Sequence, residues 1–368
     1  MNRRPIGYYV HHQGAGHATR ARLIARTLAR PCTLLGTFDG ADPGVDSFVD
    51  LPDDRIAAGF DGRDNAATRP MALHYAPLGV DGLRDRMARI AAWVASADPV
   101  LMIVDVSAEV ALFSRLLSVP TLVVRLPGDR TDPPHLEAFR SAERLLAFFP
   151  RALDGAANPE WVRSKTAYVG YLSAAPKADP IGEDGSIVVV YGRGGAGGSF
   201  ADLAAAARAV PERQWQVVGL VTDEGGECPE NLRLHGWIPD IGPYLDSAAL
   251  VIGTGGDGVV SGVVARGKRF VCIPEPRAFD EQAATARALQ AHGAAIHRAD
   301  WPPPGDWPAL VRAGLALDPA LMTLLDQPDA LTRAARLIGD FADRLDPQAS
   351  APKSVGPGVA PYSNGRRA

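Results

Sequence analysis

The sequence predicts an α/β protein made of two doubly wound domains that face each other across a cleft. Short apolar runs alternate with helical patterns through the first half of the 368-residue chain, and the alternation restarts near residue 187. Several of these runs are continuously apolar, as expected for parallel strands covered by helices on both faces of a sheet. Strands that alternate with helices indicate this class, and the chain length suits about two domains.

The first half, residues 1–172, is predicted to form an N-terminal domain. Its expected strands are 6–10, 32–37, 100–106, 120–126 and 144–149, and its expected helices are 17–30, 82–97, 107–118 and 133–143. Residues 39–81 lack a clear periodicity, so we interpret them as loops that select a substrate.

A stretch rich in Pro, Gly and Ala, residues 173–186, is predicted to link this domain to a second one at 187–345. The expected strands there are 186–192, 215–221, 232–237, 249–254 and 269–275, and the expected helices are 199–209, 241–247, 257–266, 280–291 and 329–345. The tail, 346–368, has the composition of a disordered segment.

Composition excludes several classes of function. A net charge of −4 argues against a protein that binds nucleic acid through bulk charge. Three widely spaced cysteines without a CxxC motif argue against disulfides and structural zinc, and favour a reducing cytoplasm. We find no metal-binding or cofactor motif and no apolar run long enough to span a membrane, which leaves peripheral membrane contact open.

The first strand ends in an unusual turn, within "IGYYVHHQGAGHATRARL" at residues 6–23. Three histidines, His11, His12 and His17, surround Gly14 and Gly16 just before a helix. Ligands of doubly wound sheets bind at the carboxyl ends of strands, so this turn is a candidate site. Three interpretations are open: the turn binds a nucleotide, it carries catalytic residues, or it is only a tight bend.

The second domain opens with a glycine-rich turn after its first strand. Gly192, Arg193, Gly194 and Gly195 precede a helix, and glycines let backbone N–H groups approach an anion closely. A diphosphate is the natural ligand, although the turn lacks the GK[ST] ending of a P-loop. The alternative is a merely flexible turn.

Three further strand ends lie within residues 235–289. The first ends at Trp237, the second in "GTGGDG" at a helix start, and the third in "PEPRAFDEQ". An aromatic ring can hold a base, a helix N-terminus a diphosphate, and the Glu281 carboxylate with the Gln282 amide can hold sugar hydroxyls.

This segment resembles the nucleotide-sugar signature of GT-B glycosyltransferases, which include lipid II N-acetylglucosaminyltransferases and UDP-glycosyltransferases. Trp237-Ile238-Pro239 matches the W-x-P of that signature, Gly255-Gly256 its diphosphate turn, and Glu281-Gln282 its acid–glutamine pair. The resemblance implies a GT-B fold of two Rossmann-like domains. It also implies metal-independent, inverting transfer of a sugar from a UDP- or dTDP-sugar to an acceptor hydroxyl.

The sequence departs from the family pattern around the diphosphate turn. Thr254 stands where the family has His, Gly258 where it has Asn, and Gly262 at about the position of a ribose-binding Glu. Asp257 would repel a diphosphate unless it is paired. Two alternatives therefore stay open: a non-catalytic homologue that binds a ligand or partner protein, and a sugar-nucleotide epimerase.

The resemblance also assigns roles at the first turn. Gly16-His17 matches a Gly-His whose histidine is often the general base, and Asp105 lies at the strand end that holds the orienting aspartate. A neutral imidazole suits deprotonation of an acceptor hydroxyl. The alternative is that His17 caps the helix or contacts the diphosphate. We expect His11, His12, Gly14 and Asp129 to line the acceptor pocket.

Overall fold

The computed structural model describes residues 3–11, 15–56, 69–155, 157–172, 184–192, 195–222 and 225–346. It contains two parallel sheets, of seven and six strands, flanked by helices. The predicted α/β class of two doubly wound sheets is confirmed.

The first sheet has the strand order β3-β2-β1-β4-β5-β6-β7. Its strands are β1 (Ile6–Tyr9), β2 (Cys32–Gly36), β3 (Phe48–Asp50), β4 (Leu101–Asp105), β5 (Thr121–Arg125), β6 (Arg144–Ala147) and β7 (Thr166–Tyr168). The helices between them are α1 (Ala15–Thr27), α2 (Asp81–Ala97), α3 (Ala108–Leu116), α4 (Pro133–Ser141) and α5 (Glu160–Lys165).

The second sheet has the order β12-β10-β8-β13-β14-β15, and a two-stranded sheet pairs β11 with β9. The strands are β8 (Ile187–Val190), β9 (Gly198–Ser199), β10 (Trp215–Val218), β11 (Val221–Thr222), β12 (Leu232–Leu234), β13 (Leu250–Gly253), β14 (Phe270–Cys272) and β15 (Ala295–His297). The helices are α6 (Phe200–Ala209), α7 (Gly242–Ser247), α8 (Asp257–Arg266), α9 (Glu281–Ala291), α10 (Trp307–Leu315), α11 (Pro319–Thr323) and α12 (Ala330–Leu345).

Each sheet reverses its strand order beside its first strand. β1 pairs with β2 on one side and β4 on the other, and β8 pairs in the same way with β10 and β13. Successive helices leave such a point in opposite directions and open a crevice at the strand ends. The turns after β1, β4, β8 and β13 therefore border the two crevices.

The continuous apolar runs of the sequence are explained by cores on both faces of each sheet. Ile6 and Tyr8 pack in one core of the first sheet, and the intervening Tyr9 packs in the core on the other face. Val188 and Val189 divide in the same way between the two cores of the second sheet. In these central strands both faces are buried, so the polar alternation of a half-exposed strand is absent.

The last helix, α12, packs against the first sheet. Ala334, Ile338 and Ala342 are buried in the core that contains Ile6 and Ile24. Arg30, which follows α1, anchors the end of the helix through ion pairs of 2.6 Å to Asp343 and 3.0 Å to Asp346. The predicted domain bounds stay a prediction, but this helix of the 187–345 segment lies on the N-terminal core.

Most of the elements that sequence patterns missed are short, although the nine-residue helix α10 was missed as well. β3, β7 and β15 have three residues each, too few for a hydrophobic period to show. β3 lies within the segment 39–81 that was interpreted as loops. The predicted linker falls largely, and the tail almost wholly, outside the described residues. Among the described helices, none is long and apolar enough to cross a membrane.

Candidate functional site

His17 and Asp105 form a hydrogen-bonded pair at the crevice of the first sheet. Asp105 is the last residue of β4, and His17 lies in the first turn of α1, which follows β1. Because β1 and β4 are paired in parallel, the two side chains meet, with 3.0 Å between His17 Nδ1 and Asp105 Oδ1. Asp105 is fully buried, whereas the His17 side chain is 15% exposed. The Nδ1 nitrogen of the imidazole is therefore held inside the protein, and the edge of the ring is partly accessible to solvent.

Arg20, one turn after His17 on α1, completes this cluster. Its guanidinium contacts both Asp105 oxygens, at 2.9 and 3.0 Å, and lies 2.9 Å from His17 Nδ1. It is almost fully buried and stacks over Phe148, 5.0 Å from the ring centroid. Nδ1 cannot donate to Asp105 and accept from Arg20 at once. When it donates to the carboxylate, Nε2 is the unprotonated nitrogen that can act as a base.

The charge state of Asp105 follows from its neighbours. Burial alone would raise the pKa of this carboxyl, but the Arg20 guanidinium and His17 hold the pKa well below its usual range. Tyr8 adds a weak hydrogen bond of 3.4 Å from its hydroxyl. Asp105 is therefore an anion that compensates the buried guanidinium and orients the imidazole.

Asp257 connects this cluster to the second domain. It is the first residue of α8, and its Oδ2 lies 3.2 Å from Arg20 Nη1. Burial raises the pKa of Asp257, Arg20 opposes that shift, and Glu281 reinforces it. The repulsion expected between Asp257 and a diphosphate is thus moderated by a cation from the opposite domain. A chain of Asp105, Arg20 and Asp257 crosses the cleft.

Gln282 has a structural task that the sequence did not predict. Its side-chain oxygen accepts hydrogen bonds from the backbone N–H groups of Gly255, at 3.2 Å, and Glu275, at 2.9 Å. A Cβ at Gly255 would come within 2.4 Å of the Gln282 carbonyl oxygen, so the glycine permits this close approach. The amide nitrogen of Gln282 is the part of the side chain that remains available to a sugar hydroxyl.

Glu281 also faces the other domain. Its Oε2 accepts a hydrogen bond of 3.0 Å from Arg130 Nη2, and Arg130 is buried in the loop after β5. The Glu281 side chain is 24% exposed, which leaves the carboxylate a second oxygen for a ligand. The predicted sugar-binding pair therefore lies at the cleft. Glu281 is bonded to Arg130 of the N-terminal domain, and Gln282 is bonded to backbone groups of the C-terminal domain.

Glu275 is a residue that the sequence interpretation passed over. A Cβ at Gly195 would lie 2.0 Å from its Oε1, so this carboxylate packs directly on the glycine-rich turn. Oε2 accepts from Arg277 at 3.1 Å, while the buried Oε1 has no hydrogen-bond partner among the described residues. Its signal in the sequence was its position as the last residue of the predicted strand 269–275, three residues after the observed end of β14.

The glycine-rich turn is explained in part by packing. Gly198 lies against the Tyr191 ring, where a Cβ would be 2.4 Å from Cε2, and Gly197 has a φ of +81°. Gly192, by contrast, has open space around its Cβ position. Arg193 and Gly194, both predicted to bind the diphosphate, lie outside the described residues.

The other predicted donor residues differ in exposure. Trp237 is 45% exposed, Ile238 is half-buried and Thr254 is buried. Trp237 follows β12 by three residues instead of ending it, since the strand is shorter than predicted. Gly256 caps α8 without a side-chain acceptor, and its carbonyl oxygen accepts from the Val259 N–H at 3.0 Å, which leaves the N–H groups of Asp257 and Gly258 for a ligand.

Two family departures acquire a physical meaning in the structure. A Cβ at Gly262 would come within 2.8 Å of Leu245 Cδ1, so this position of α8 faces α7. Among the described residues, a Cβ at Gly258 would meet nothing within 4 Å. The first position therefore has little room for a larger side chain, and the second has space for one among the residues that the structure describes.

The predicted acceptor residues are placed unevenly. The His11 ring centroid is 5.5 Å from that of His17, so these two histidines lie side by side. The Asp129 side chain is exposed and accepts a local hydrogen bond of 2.7 Å from Thr131, while its backbone N–H bonds to the second domain. His12 and Gly14 lie outside the described residues. Within the described ranges, no three His, Cys, Asp or Glu side chains are grouped as a metal site.

Part of the sequence matches a known protein family. Residues 212–300 match the family described as the glycosyltransferase family 28 C-terminal domain. A curated relative from Exiguobacterium sp., UDP-N-acetylglucosamine–N-acetylmuramyl-(pentapeptide) pyrophosphoryl-undecaprenol N-acetylglucosamine transferase, is 27% identical over 179 residues. That match covers 45% of this chain and 46% of the relative, so the chain matches about half the length of the relative.

Solved structures match over nearly the whole chain. The calicheamicin glycosyltransferase CalG4 is 18% identical, with a TM-score of 0.66, and the match covers 95% of this chain and 100% of that one. The spinosyn rhamnosyltransferase SpnG complexed with thymidine diphosphate is 19% identical, with a TM-score of 0.63 and coverage of 92% and 99%. The resemblance to GT-B glycosyltransferases is thereby confirmed. The chain has the GT-B fold, and its residues 212–300 match the glycosyltransferase family 28 C-terminal domain.

Proposed function

We propose that the protein is an inverting, metal-independent glycosyltransferase that moves a sugar from a nucleoside diphosphate sugar to an acceptor hydroxyl. The observation that carries this proposal is the His17–Asp105 pair, held at the cleft with its imidazole partly accessible. A buried carboxylate that orients an imidazole is the arrangement of a general base.

The contacts across the cleft support a shared site. Arg20 joins the histidine side to Asp257, and Arg130 joins the N-terminal domain to Glu281. The residues predicted to hold the donor sugar therefore face the domain that carries the base. An acceptor between the domains would have its hydroxyl near His17 and the donor sugar on its other side.

The proposed reaction is a single displacement. Nε2 of His17 takes the acceptor hydroxyl proton while the acceptor oxygen forms a bond to the anomeric carbon. The bond from that carbon to the diphosphate oxygen breaks, and the nucleoside diphosphate leaves with the bonding electrons. Because attack and departure occur on opposite faces, the anomeric configuration inverts. Asp105 stabilises the imidazolium that results.

The leaving diphosphate would be stabilised by backbone dipoles. The N–H groups of Gly256, Asp257 and Gly258 at the start of α8 offer donors to an anion, whereas the Gly255 N–H is bonded to Gln282. This is the physical basis for proposing metal independence, and activity that persists in a chelator is its test.

Two nucleotides are proposed for the donor. The name of the curated relative specifies a UDP-sugar, whereas one structural neighbour is complexed with thymidine diphosphate. The exposed Trp237 ring can stack on either base, since stacking does not depend on base identity. We propose a cytoplasmic enzyme with a hydroxyl acceptor whose identity is open and with no nucleic-acid partner.

A second candidate is a homologue that binds without transferring. It is favoured by the carboxylates at the two predicted diphosphate positions, Asp257 at the start of α8 and Glu275 against Gly195. Both would disfavour an approaching anion. Such a protein would bind a ligand or a partner protein and show no turnover of any sugar nucleotide.

The deciding experiment is a donor panel on the wild-type protein without metal. Affinities for UDP, dTDP, UDP-N-acetylglucosamine and dTDP-rhamnose are measured by calorimetry, and slow hydrolysis of each sugar nucleotide is followed by chromatography. Binding of one nucleotide together with release of its sugar supports the transferase. Binding without any release, in the presence of varied acceptors, favours the second candidate.

A further inference from the structure

The loop between β14 and α9 reaches into the N-terminal domain through Phe279. The Phe279 ring centroid lies 5.0 Å from that of His74 and 4.7 Å from that of His135. The Arg130 guanidinium covers the same ring at 5.1 Å. Three groups of one domain thus surround an aromatic ring of the other.

The backbone of this loop is held as well. The Asp129 N–H donates to the Phe279 carbonyl oxygen at 3.2 Å. Gly128, with a φ of +102°, lies so close that a Cβ there would be 2.6 Å from that oxygen. The loop at 128–130 therefore fits against Phe279 without room for a side chain at Gly128.

Phe279 and Asp280 hold an unfavourable backbone conformation. Phe279 has φ 59° and ψ 21°, and Asp280 has φ 56° and ψ 27°, both in the left-handed region. Two successive non-glycine residues rarely adopt it, and such strain persists only when the surroundings determine the conformation. The contacts with the N-terminal domain are the surroundings that do so here.

The strained pair leads directly into the predicted sugar-binding residues. Glu281 begins α9 immediately after Asp280, and its carboxylate bonds to the same Arg130 that covers the Phe279 ring. Any change in the backbone at 279–280 would therefore change the direction in which Glu281 leaves the loop.

We propose that Phe279 is a positioning residue for the donor sugar. Docking of its ring against His74, His135 and Arg130 fixes the left-handed turn, and that turn directs Glu281 toward the sugar. The inference rests on the proposed function, because it assigns Glu281 to the sugar part of a nucleoside diphosphate sugar. It goes further in assigning part of the sugar site to a contact between the domains.

The inference predicts different effects on two parts of the donor, the nucleoside diphosphate and the sugar. The base and the diphosphate are expected at Trp237, after β12, and at the start of α8, after β13, whereas Phe279 lies in the loop after β14. Loss of the docked ring should weaken binding of the nucleoside diphosphate sugar and leave binding of the nucleoside diphosphate itself unchanged.

The test compares Phe279→Gly with Phe279→Tyr. Glycine accepts the left-handed backbone but removes the ring, whereas tyrosine keeps the ring. Calorimetry is run with UDP and UDP-N-acetylglucosamine, and with dTDP and dTDP-rhamnose. We expect Phe279→Gly to lose about tenfold in affinity for the sugar nucleotide, the scale of a hydrogen bond to a charged group, with the bare nucleotide unaffected. Phe279→Tyr should restore the wild-type ratio.

Two further variants test whether the effect is specific to the docked ring. Phe341→Ala removes another half-buried ring that an arginine covers at 5.2 Å, but on α12, and should leave both affinities unchanged. Gly128→Ala adds a methyl group on the N-terminal side of the contact, against the Phe279 carbonyl oxygen. It should displace the loop that carries Phe279 and selectively weaken binding of the sugar nucleotide, with the Phe279 side chain itself unaltered. Amide hydrogen exchange at 279–282 in the free protein should be faster in Phe279→Gly than in Phe279→Tyr.

The outcomes are distinguishable. An unchanged affinity ratio in Phe279→Gly, or an equal loss for nucleotide and sugar nucleotide, overturns the positioning role and leaves the proposed function standing. Wild-type protein that binds none of the four compounds overturns the proposed function and the inference with it. Equal hydrogen exchange in the two variants overturns the claim that the docked ring fixes the turn.

Discussion

The two sides of the cleft are built by different means. On the N-terminal side, Arg20 and Asp105 form a buried ion pair, and His17 is hydrogen-bonded to Asp105. On the C-terminal side, Gly255 and Gln282 are joined through backbone groups and a single amide oxygen. The first side is held by charge compensation, and the second by close backbone approach.

This difference indicates which substitutions each side tolerates. A buried charge cluster fails when one charge is removed, because the partner is left uncompensated. A site built from backbone approach fails when atoms are added. The predictions below test the two rules, beginning with the largest expected effect.

Asp105→Asn should have the largest effect. It keeps the shape of the side chain but removes the anion that compensates Arg20, so the free energy of unfolding should fall by about 3–5 kcal/mol. Chemical denaturation measures this loss, with Asp98→Asn as the control. Asp98 forms an exposed pair with Arg4, and an exposed pair contributes only about 0–1 kcal/mol. Equal losses in the two variants would contradict the charge-compensation account.

His17→Ala should act on turnover alone. Removal of a general base lowers kcat by about a hundredfold to ten-thousandfold, while the donor affinity and the unfolding free energy stay near their wild-type values. Steady-state kinetics and donor calorimetry separate the two quantities. A variant with full activity would show that His17 is not the base.

A matched pair of glycines tests the other side of the cleft. Gly255→Ala would place a Cβ 2.4 Å from the Gln282 carbonyl oxygen and should destabilise the protein. The expected loss is about 1–3 kcal/mol, typical of overpacking. Gly258→Ala, three residues later, meets open space within α8 and should stabilise by about 0.5–1 kcal/mol. Thermal unfolding of both variants gives the signs, and changes of the same sign would refute the role of close approach.

The smallest expected effect is a pH dependence at the docked loop. Burial, with smaller contributions from His135, Arg69 and Arg130, lowers the pKa of His74 to about 4, and Asp132 opposes the shift. Between about pH 6.5 and 4 the unfolded chain binds a proton that the folded protein does not, so stability falls as the pH falls. The depressed pKa of Asp105 acts in the same direction at lower pH.

Replacement of His74 by Gln should remove part of this dependence. The midpoint of thermal unfolding is measured from pH 7 to about pH 4.5 for both proteins, a range that starts above the ordinary pKa of histidine and ends well below it. A smaller decline in the His74→Gln variant is the expected result. The same decline in both would show that His74 stays outside the linkage.

Much of the fold was accessible to sequence patterns. The helices at 82–97 and 329–345 differ from the observed α2 and α12 by at most one residue at either end, since long amphipathic periods are reliable signals. The strands β3, β7 and β15 escaped notice because three residues carry no measurable period. The packing of α12 on the first sheet also escaped notice, because nothing local specifies which core an amphipathic helix will cover.

The same division holds for the site. The sequence alone determined the two-sheet class and placed His17 and Asp105 at strand ends, because parallel strands bring their carboxyl ends to one edge. Only the tertiary structure revealed that Arg20 lies between two aspartates and that Gln282 is bonded to backbone groups. It also revealed that Glu275 packs against Gly195 and that the Phe279 ring docks in the opposite domain. Local periodicity reports which face of an element is buried. Partners far apart in sequence are chosen by packing and by compensation of buried charge, which arise only when the two domains meet.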